Sequence, residues 1–303
     1  MQIIRNIIKN FFLDYSHFVY KLLGLVRHIK PYKSQIILST GTPINKNRAA
    51  LFSIHLEKLL IAEYLKLSCK ELAQNGYDVM LIVTFNKSLN IDSVKSLLDM
   101  HFASHQIILR TNFGKDFGGF KDGLEHIGAS QCDDIILLND SMIGPLFISS
   151  FMPDFDKILG DVIGITDSYD ISYHLQSSFL KFSGKDNVKL LNKFFDNYAP
   201  TNNRDMIVRY GEVKISQFFQ KNKKNIIPYI ATIRLWADSG YINRLEDNAQ
   251  HAYWSELVFK HKVPYVKREL IVSDPSKLLK FCDKKLSDES LSIIDDGLRS
   301  RLK

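Results

Sequence analysis

Asn139-Asp140-Ser141 directly follows Ile135-Ile-Leu-Leu138, a continuous apolar run that suits a strand covered on both faces of a parallel sheet. A carboxylate just past the C-terminal end of such a strand sits where open α/β sheets bind ligands. Asp140 is therefore the leading candidate for chemistry, and a phosphate-bearing small molecule the expected ligand. One carboxylate there, with Asn139 or Ser141 as a neutral oxygen ligand, suffices for Mg²⁺ bound to a diphosphate. The same three residues also suit an Asx or Ser turn leading into Gly144-Pro145.

Upstream, Arg110-Thr-Asn-Phe-Gly114-Lys115-Asp116-Phe-Gly118-Gly119-Phe120 reads as a glycine-punctuated loop opening a helix. Glycines let backbone approach a ligand closely, and a following helix N-terminus favours phosphate. Arg110 and Lys115 add positive charge. Asp116 can cap the helix or bind a ribose or sugar hydroxyl. Downstream, Asp167 ends another apolar strand and is the candidate general base, with His174 as its competitor. Lys267 and Arg268 can meet a phosphate, but on a strand only one of two neighbours aims at a given point. Trp254 can stack on a sugar or a base, or fill a core.

These residues need a scaffold, and the pattern supplies one. Strands are expected at 50–55, 78–85, 106–110, 134–139 and 162–166, with helices at 59–75, 91–100 and 120–127 between them. Such alternation indicates βαβ units and a mostly parallel sheet flanked by helices. Beyond Asp167 the alternation breaks: strands are expected at 178–182, 226–233 and 265–270, helices at 188–198, 204–220 and 251–260, and a final helix at 287–301. The chain divides into a basic amphipathic helical segment (1–34), a linker (35–48), a nucleotide-binding half (49–170) and an acceptor-side half with the C-terminal helix (171–303).

With 303 residues, 45% of them apolar and 24% charged, the chain can bury a substantial core. Three scattered cysteines argue against a disulfide framework or a structural zinc site and fit a reducing compartment. No signal peptide and no bilayer-spanning apolar run is evident. The net charge of +7 permits anionic partners, and residues 1–34 carry six cations against Asp14 alone. Their apolar residues recur at helical spacing, which suits contact with an anionic membrane surface or packing on protein. Nucleic acid is not an expected partner, because no binding module is recognisable.

Taken in order, Arg110-x-Asn112-x-Gly114-x-Asp116-Phe-Gly-Gly, Leu137-Leu-Asn-Asp140-Ser-x-x-Gly144-Pro, Thr166-Asp167-Ser, His174-Leu-Gln176-Ser, Gly211-Glu212-x-x-Ile-Ser216-Gln217 and Lys267-Arg268-Glu269-Leu resemble the rhamnan synthesis protein F family of bacterial glycosyltransferases. The resemblance implies a GT-A-like, Rossmann-related fold that transfers rhamnose or another deoxysugar from a nucleotide donor, dTDP-linked by preference. The acceptor would be a growing cell-surface polysaccharide or lipid-linked glycan such as an O-antigen. The enzyme would be peripheral at the cytoplasmic face of the bacterial membrane, held there through residues 1–34.

It further implies donor contacts by Arg110, Asn112, Gly114, Lys115, Asp116, Gly118, Gly119, Asn139, Asp140, Ser141, Lys267 and Arg268. Asp167 or His174 would act as base in an inverting reaction, and Gln176, Glu212 and Trp254 would line the acceptor side. Mg²⁺ or Mn²⁺ would sit at Asp140. Asn139 and Ser141 stand where an Asp-x-Asp metal motif has carboxylates. That departure motivates an alternative, a non-catalytic nucleotide-sugar or glycan-binding scaffold of a polysaccharide synthase complex.

Overall fold

The computed structural model describes residues 32–45, 47–128, 131–239, 248–273 and 286–300, together with Tyr15. The basic helical segment expected at 1–34 lies almost wholly outside these residues.

Strand β1 (Ile36–Gly41) precedes β2 (Arg48–Leu56), α1 (Glu63–Gln74), β3 (Asp78–Phe85), α2 (Ile91–Phe102), β4 (Gln106–Arg110), α3 (Lys115–His126) and β5 (Asp134–Asn139). Next come β6 (Met142–Ile143), α4 (Phe151–Asp156), β7 (Val162–Ser168), β8 (His174–Leu175), β9 (Phe179–Ser183) and α5 (Lys185–Asn197). Helix α6 (Arg204–Ile207) passes through a π-helical segment (Val208–Val213) into α7 (Lys214–Lys221), followed by β10 (Ile226–Ile230), α8 (Thr232–Ser239) and α9 (Ala249–Ala252). A second π segment (Glu256–Lys260), β11 (Val266–Lys267), α10 (Arg268–Ser273) and α11 (Asp288–Arg299) complete the described chain.

The main sheet has the order β1-β4-β3-β2-β5-β9-β7-β10, with β8 added alongside β7. Among the described strands of this sheet, β2, β3, β4, β5, β7 and β10 run one way, and β1, β8 and β9 run against them. The sheet is thus mixed, with a parallel run from β4 through β3 and β2 to β5 and antiparallel pairings around β1, β8 and β9. Short turns from β7 to β8 and from β8 to β9 reverse the chain, which a helical crossover would not do. Strand β9 lies between β5 and β7, so residues on both sides of 170 build one sheet.

The first four parallel strands explain where a site belongs. The chain enters at β2, steps outward through β3 to β4, and returns through α3 to β5 on the other side of β2. Strands β2 and β5 therefore flank the point where the winding reverses, and open α/β sheets bind ligands outside the C-terminal ends of such strands.

Each strand sends alternate residues to two apolar layers. Ala50, Phe52, Ile54, Ile136, Leu138, Ile163 and Ile165 face one layer; Ala49, Leu51, Ile108, Ile135, Leu137 and Val162 face the other, together with Phe117, Phe120 and Leu124 of α3. Helix α3 starts at Lys115, five residues before the position expected from the pattern. Gly118 and Gly119 consequently lie buried inside a helix, and not in a phosphate-binding loop. A Cβ on Gly118 would stand 2.5 Å from the Phe113 carbonyl oxygen, and one on Gly119 would stand 3.0 Å from Ile82 Cγ2. One turn on, a Cβ on Gly123 would lie 2.8 Å from Ile82 Cδ1 and 2.9 Å from Leu51 Cδ2. Gly119 and Gly123 bring α3 close to the sheet, and Gly118 lets the first turn of the helix pack on the connection before it.

Candidate active site

Register and parity assemble a polar cluster at these strand ends. Ser53 of β2 is paired with Asn139 of β5, and both have the parity of the α3 layer. Asp116, in the first turn of α3, bridges them: the Ser53 hydroxyl donates to Oδ1 at 3.1 Å and Asn139 Nδ2 donates to Oδ2 at 3.0 Å. Burial pushes the Asp116 carboxyl above the ordinary carboxylate range, while the Ser53 hydroxyl and the charges of Arg268, Lys267 and Lys115 pull it back. Gly114, in the left-handed region at φ +80°, turns the chain into α3 and donates its N–H to Asn202 Oδ1 at 2.9 Å. A side chain there would meet Pro200 Cβ at 2.6 Å. Lys115 is exposed at the helix start, and Asn112 is half-buried on the connection before it.

Asp140 lies at the expected strand end. The His55 backbone N–H donates to its Oδ2 at 2.9 Å, and Arg268 NH1 stands 3.2 Å from its Oδ1 and also donates to its carbonyl oxygen. Lys267 Nζ donates to the Ser141 hydroxyl at 3.1 Å. Both cations thus reach the same strand end, against the expectation that only one of them could. The reason is that Lys267 ends the two-residue strand β11 and Arg268 opens α10, so strand alternation does not apply across the pair. A backbone ladder holds them there: β11 pairs with β6, Lys267 opposite Met142, and the Arg268 N–H donates to the Ser141 carbonyl at 2.8 Å. Burial lowers the Lys267 ammonium from its ordinary value, and the charges of Glu212, Asp116 and Glu269 oppose that shift.

Glu212 completes the group from the π-helical segment, a geometry that recurs at functional sites. Its Oε1 accepts the Ser177 N–H at 2.9 Å and lies 3.9 Å from His174 Nε2. Gly211 beside it packs on the Phe117 ring, where a Cβ would stand 2.8 Å from Cδ1. His174 is buried behind Glu212, with Nδ1 2.8 Å from the Ser172 carbonyl oxygen. Glu269 lies 3.8 Å from His251 and 4.0 Å from Arg204. Among the described residues, no three His, Cys, Asp or Glu side chains gather as a metal-ligand set.

Four expected site residues are turned to other work. Arg110 is 1% exposed; it donates to Asp122 Oδ2 at 2.9 Å and to the carbonyls of Phe113 and Lys115 at 2.6 and 3.4 Å. It braces the turn before α3 from within and offers no cation to a ligand. Asp167 has the parity of Ile163 and Ile165, which carries it to the opposite face of the sheet. There, 2% exposed, it accepts the Thr232 N–H at 2.6 Å through Oδ1 at the start of α8. Gln176 is buried, accepting from the Thr166 hydroxyl at 2.5 Å. Trp254 packs on Phe259, ring centroids 6.1 Å apart, and against the larger apolar layer. Sequence reasoning missed Ser53 and His55. Their parity on β2 was readable, but their meeting with Asp116 and Asp140 needed the register.

A family model described as rhamnan synthesis protein F matches residues 79–290, which takes in the motifs from Arg110 to Glu269. The virulence protein VirA of Vibrio anguillarum is 26% identical over 261 residues, covering 77% of this chain and 82% of its own length. An uncharacterised protein of Sinorhizobium fredii is 27% identical over 187 residues, 59% of this chain and 47% of that protein. Among solved structures, a chain from Desulfovibrio desulfuricans G20 described as a nucleotide-diphospho-sugar transferase superposes with a TM-score of 0.39 at 11% identity, over 70% of this chain and 96% of that one. With the family model matching well over half of its residues, the chain belongs to the rhamnan synthesis protein F family.

Proposed function

We propose that this chain is a glycosyltransferase of GT-A-like fold that moves a sugar from a nucleotide donor to a growing cell-surface polysaccharide or lipid-linked glycan. The observation that carries the proposal is the meeting of Lys267 and Arg268 with Asp116, Asn139 and Asp140 at the reversal point between β2 and β5. Two half-buried cations beside hydroxyl-binding carboxylates suit a sugar diphosphate. Family membership supports transfer of a sugar in polysaccharide synthesis; in this proposal the transferred group is rhamnose or another deoxysugar and the nucleotide dTDP.

In this reading Lys267 and Arg268 receive the diphosphate, and Asp116, set by Ser53 and Asn139, takes a ribose or sugar hydroxyl. Glu212, 19% exposed and close enough to act on Lys267, takes over the base role first considered for Asp167. The acceptor oxygen attacks the anomeric carbon as its proton passes to the Glu212 carboxylate. The bond from that carbon to the phosphate oxygen breaks with inversion, and the departing diphosphate's charge is met by the two cations. Among the described residues no helix is long and apolar enough to cross a membrane. A peripheral position at the cytoplasmic face, through residues 1–34, belongs to the same proposal.

The test is a panel of dTDP-, UDP- and GDP-sugars on the purified chain, followed by thermal shift and by release of nucleoside diphosphate. Stabilisation and turnover by dTDP-sugars is expected. Stabilisation without turnover on any acceptor would favour the non-catalytic scaffold, and neither response to any nucleotide would sink the proposal.

A further inference from the structure

Mg²⁺ or Mn²⁺ at a strand-end motif needs carboxylate, amide or hydroxyl oxygens that are open to it, and near-octahedral Mg²⁺ tolerates little distortion. Asn139-Asp140-Ser141 does not offer them. Asp140 Oδ1 faces Arg268 NH1 at 3.2 Å, and Oδ2 accepts the His55 N–H at 2.9 Å. Asn139 Oδ1 accepts both the N–H of Ser141, at 3.1 Å, and its hydroxyl. The Ser141 oxygen accepts from Lys267 Nζ at 3.1 Å. A divalent ion would have to displace two side-chain cations from their acceptors and then remain beside their charges. The residues present do not fit the metal that an Asp-x-Asp motif implies.

The displaced role has an evident holder. Backbone pairing of β11 with β6 and the Arg268 N–H bond to Ser141 lock Lys267 and Arg268 to the end of β5. They are fixed positive charges at the strand end where an Asp-x-Asp motif would hold its metal. We infer that the nucleoside diphosphate is bound without a divalent cation, its charge carried by Lys267 and Arg268. This rests on the donor reading above. Burial around Lys267 also strengthens its attraction to an arriving phosphate, since charges interact more strongly away from water.

The experiment is calorimetric titration of the full chain with dTDP, UDP and GDP, each in EDTA and in millimolar MgCl₂ or MnCl₂, and with Mn²⁺ alone. Affinity for the preferred diphosphate should change by less than about twofold on adding EDTA, whereas Lys267→Gln should weaken it about ten- to a hundredfold, the worth of one charge-assisted hydrogen bond. Lys267→Arg should restore most of the loss, and melting temperatures of both variants report that the fold is kept. Arg268→Lys gives a second reading if Lys267→Gln unfolds. Diphosphate binding that requires the metal, or stoichiometric Mn²⁺ binding abolished by Asp140→Asn, would overturn the inference and leave the donor reading standing. No diphosphate binding under any condition would overturn both.

Discussion

Asp116 shows how a single side chain can serve a site at a cost to the fold. Its carboxyl is raised by burial, so the native state binds that proton more tightly than the unfolded chain, whose value is about 3.9. The stability it contributes is present below the unfolded value and lost as pH rises through the raised folded value. Wild type should therefore lose stability relative to Asp116→Asn across that rise, which melting temperatures measured between about pH 3 and pH 7 would register. A flat or opposite trend would mean that Asp116 is not strained in its charged form. The same substitution should weaken donor binding about tenfold, as expected for a lost hydrogen bond to a charged acceptor. At this scale the chain was only half legible. Asp116 and Asp140 stand out by their place after a strand or glycine turn, whereas Arg110 and Asp167 occupy equally suggestive strand ends but point inward and to the far face.

Among the elements, α3 does most to position the site. Its 12 residues include Gly118, Gly119 and Gly123, an arrangement with poor intrinsic helix propensity that is tolerated because the missing side chains let Gly119 and Gly123 approach β2 and β3 and Gly118 pack on the Phe113 carbonyl. In an open helix, Gly→Ala stabilises by about 0.5–1 kcal/mol. Gly123→Ala should instead destabilise by about 1–3 kcal/mol, since its Cβ would overlap Ile82 and Leu51 and neither can withdraw from a packed sheet. Chemical denaturation would give the sign, and a stabilised variant would refute the close-packing role. The glycines are visible in the sequence, but their purpose is not. A loop that wraps phosphate and a helix that presses on a sheet call for the same residue, and only the helix start at Lys115 separates them. Lys267 and Arg268 teach a similar lesson, because a strand of two residues ends before its alternation can separate neighbours.

Across the whole molecule, the end of the sheet opposite the candidate site is tied by a polar knot. Arg48, at the start of β2, donates to Tyr77 at 2.5 Å and to Asp156 at 2.6 Å and meets Asp134 at 3.2 Å. Lys181 of β9 reaches Asp156 at 2.9 Å. Burial alone would raise the Asp156 carboxyl, but hydrogen bonds from Arg48, Lys181 and Tyr77 outweigh it and hold the group below its ordinary value. Its contribution to stability is then complete above the unfolded value of about 3.9 and disappears as pH falls through the lower folded value. Asp156→Asn should cost about 1–2 kcal/mol at neutral pH and flatten the acid limb of the stability profile. An acid limb as steep as that of wild type would show that the knot does not link β2, β5 and β9 to α4 energetically.

Local order was written plainly along the chain. The periods of apolar residues mark β2, β3, β4, β5, α2 and the run from α6 to α7 within a few residues, because burying one face or both leaves a pattern that needs no partner to be read. The ordered motifs likewise carried the family, since they are contiguous stretches. Contacts between distant stretches left no such trace. That β9 would run backwards between β5 and β7, that Ser53 would lie opposite Asn139, and that Arg268 would close on Asp140 from 128 residues away were decided only when the strands paired. Pairing register assigns each side chain to a face, and a shift of one residue would exchange every face, so the site exists only at the level of the assembled sheet.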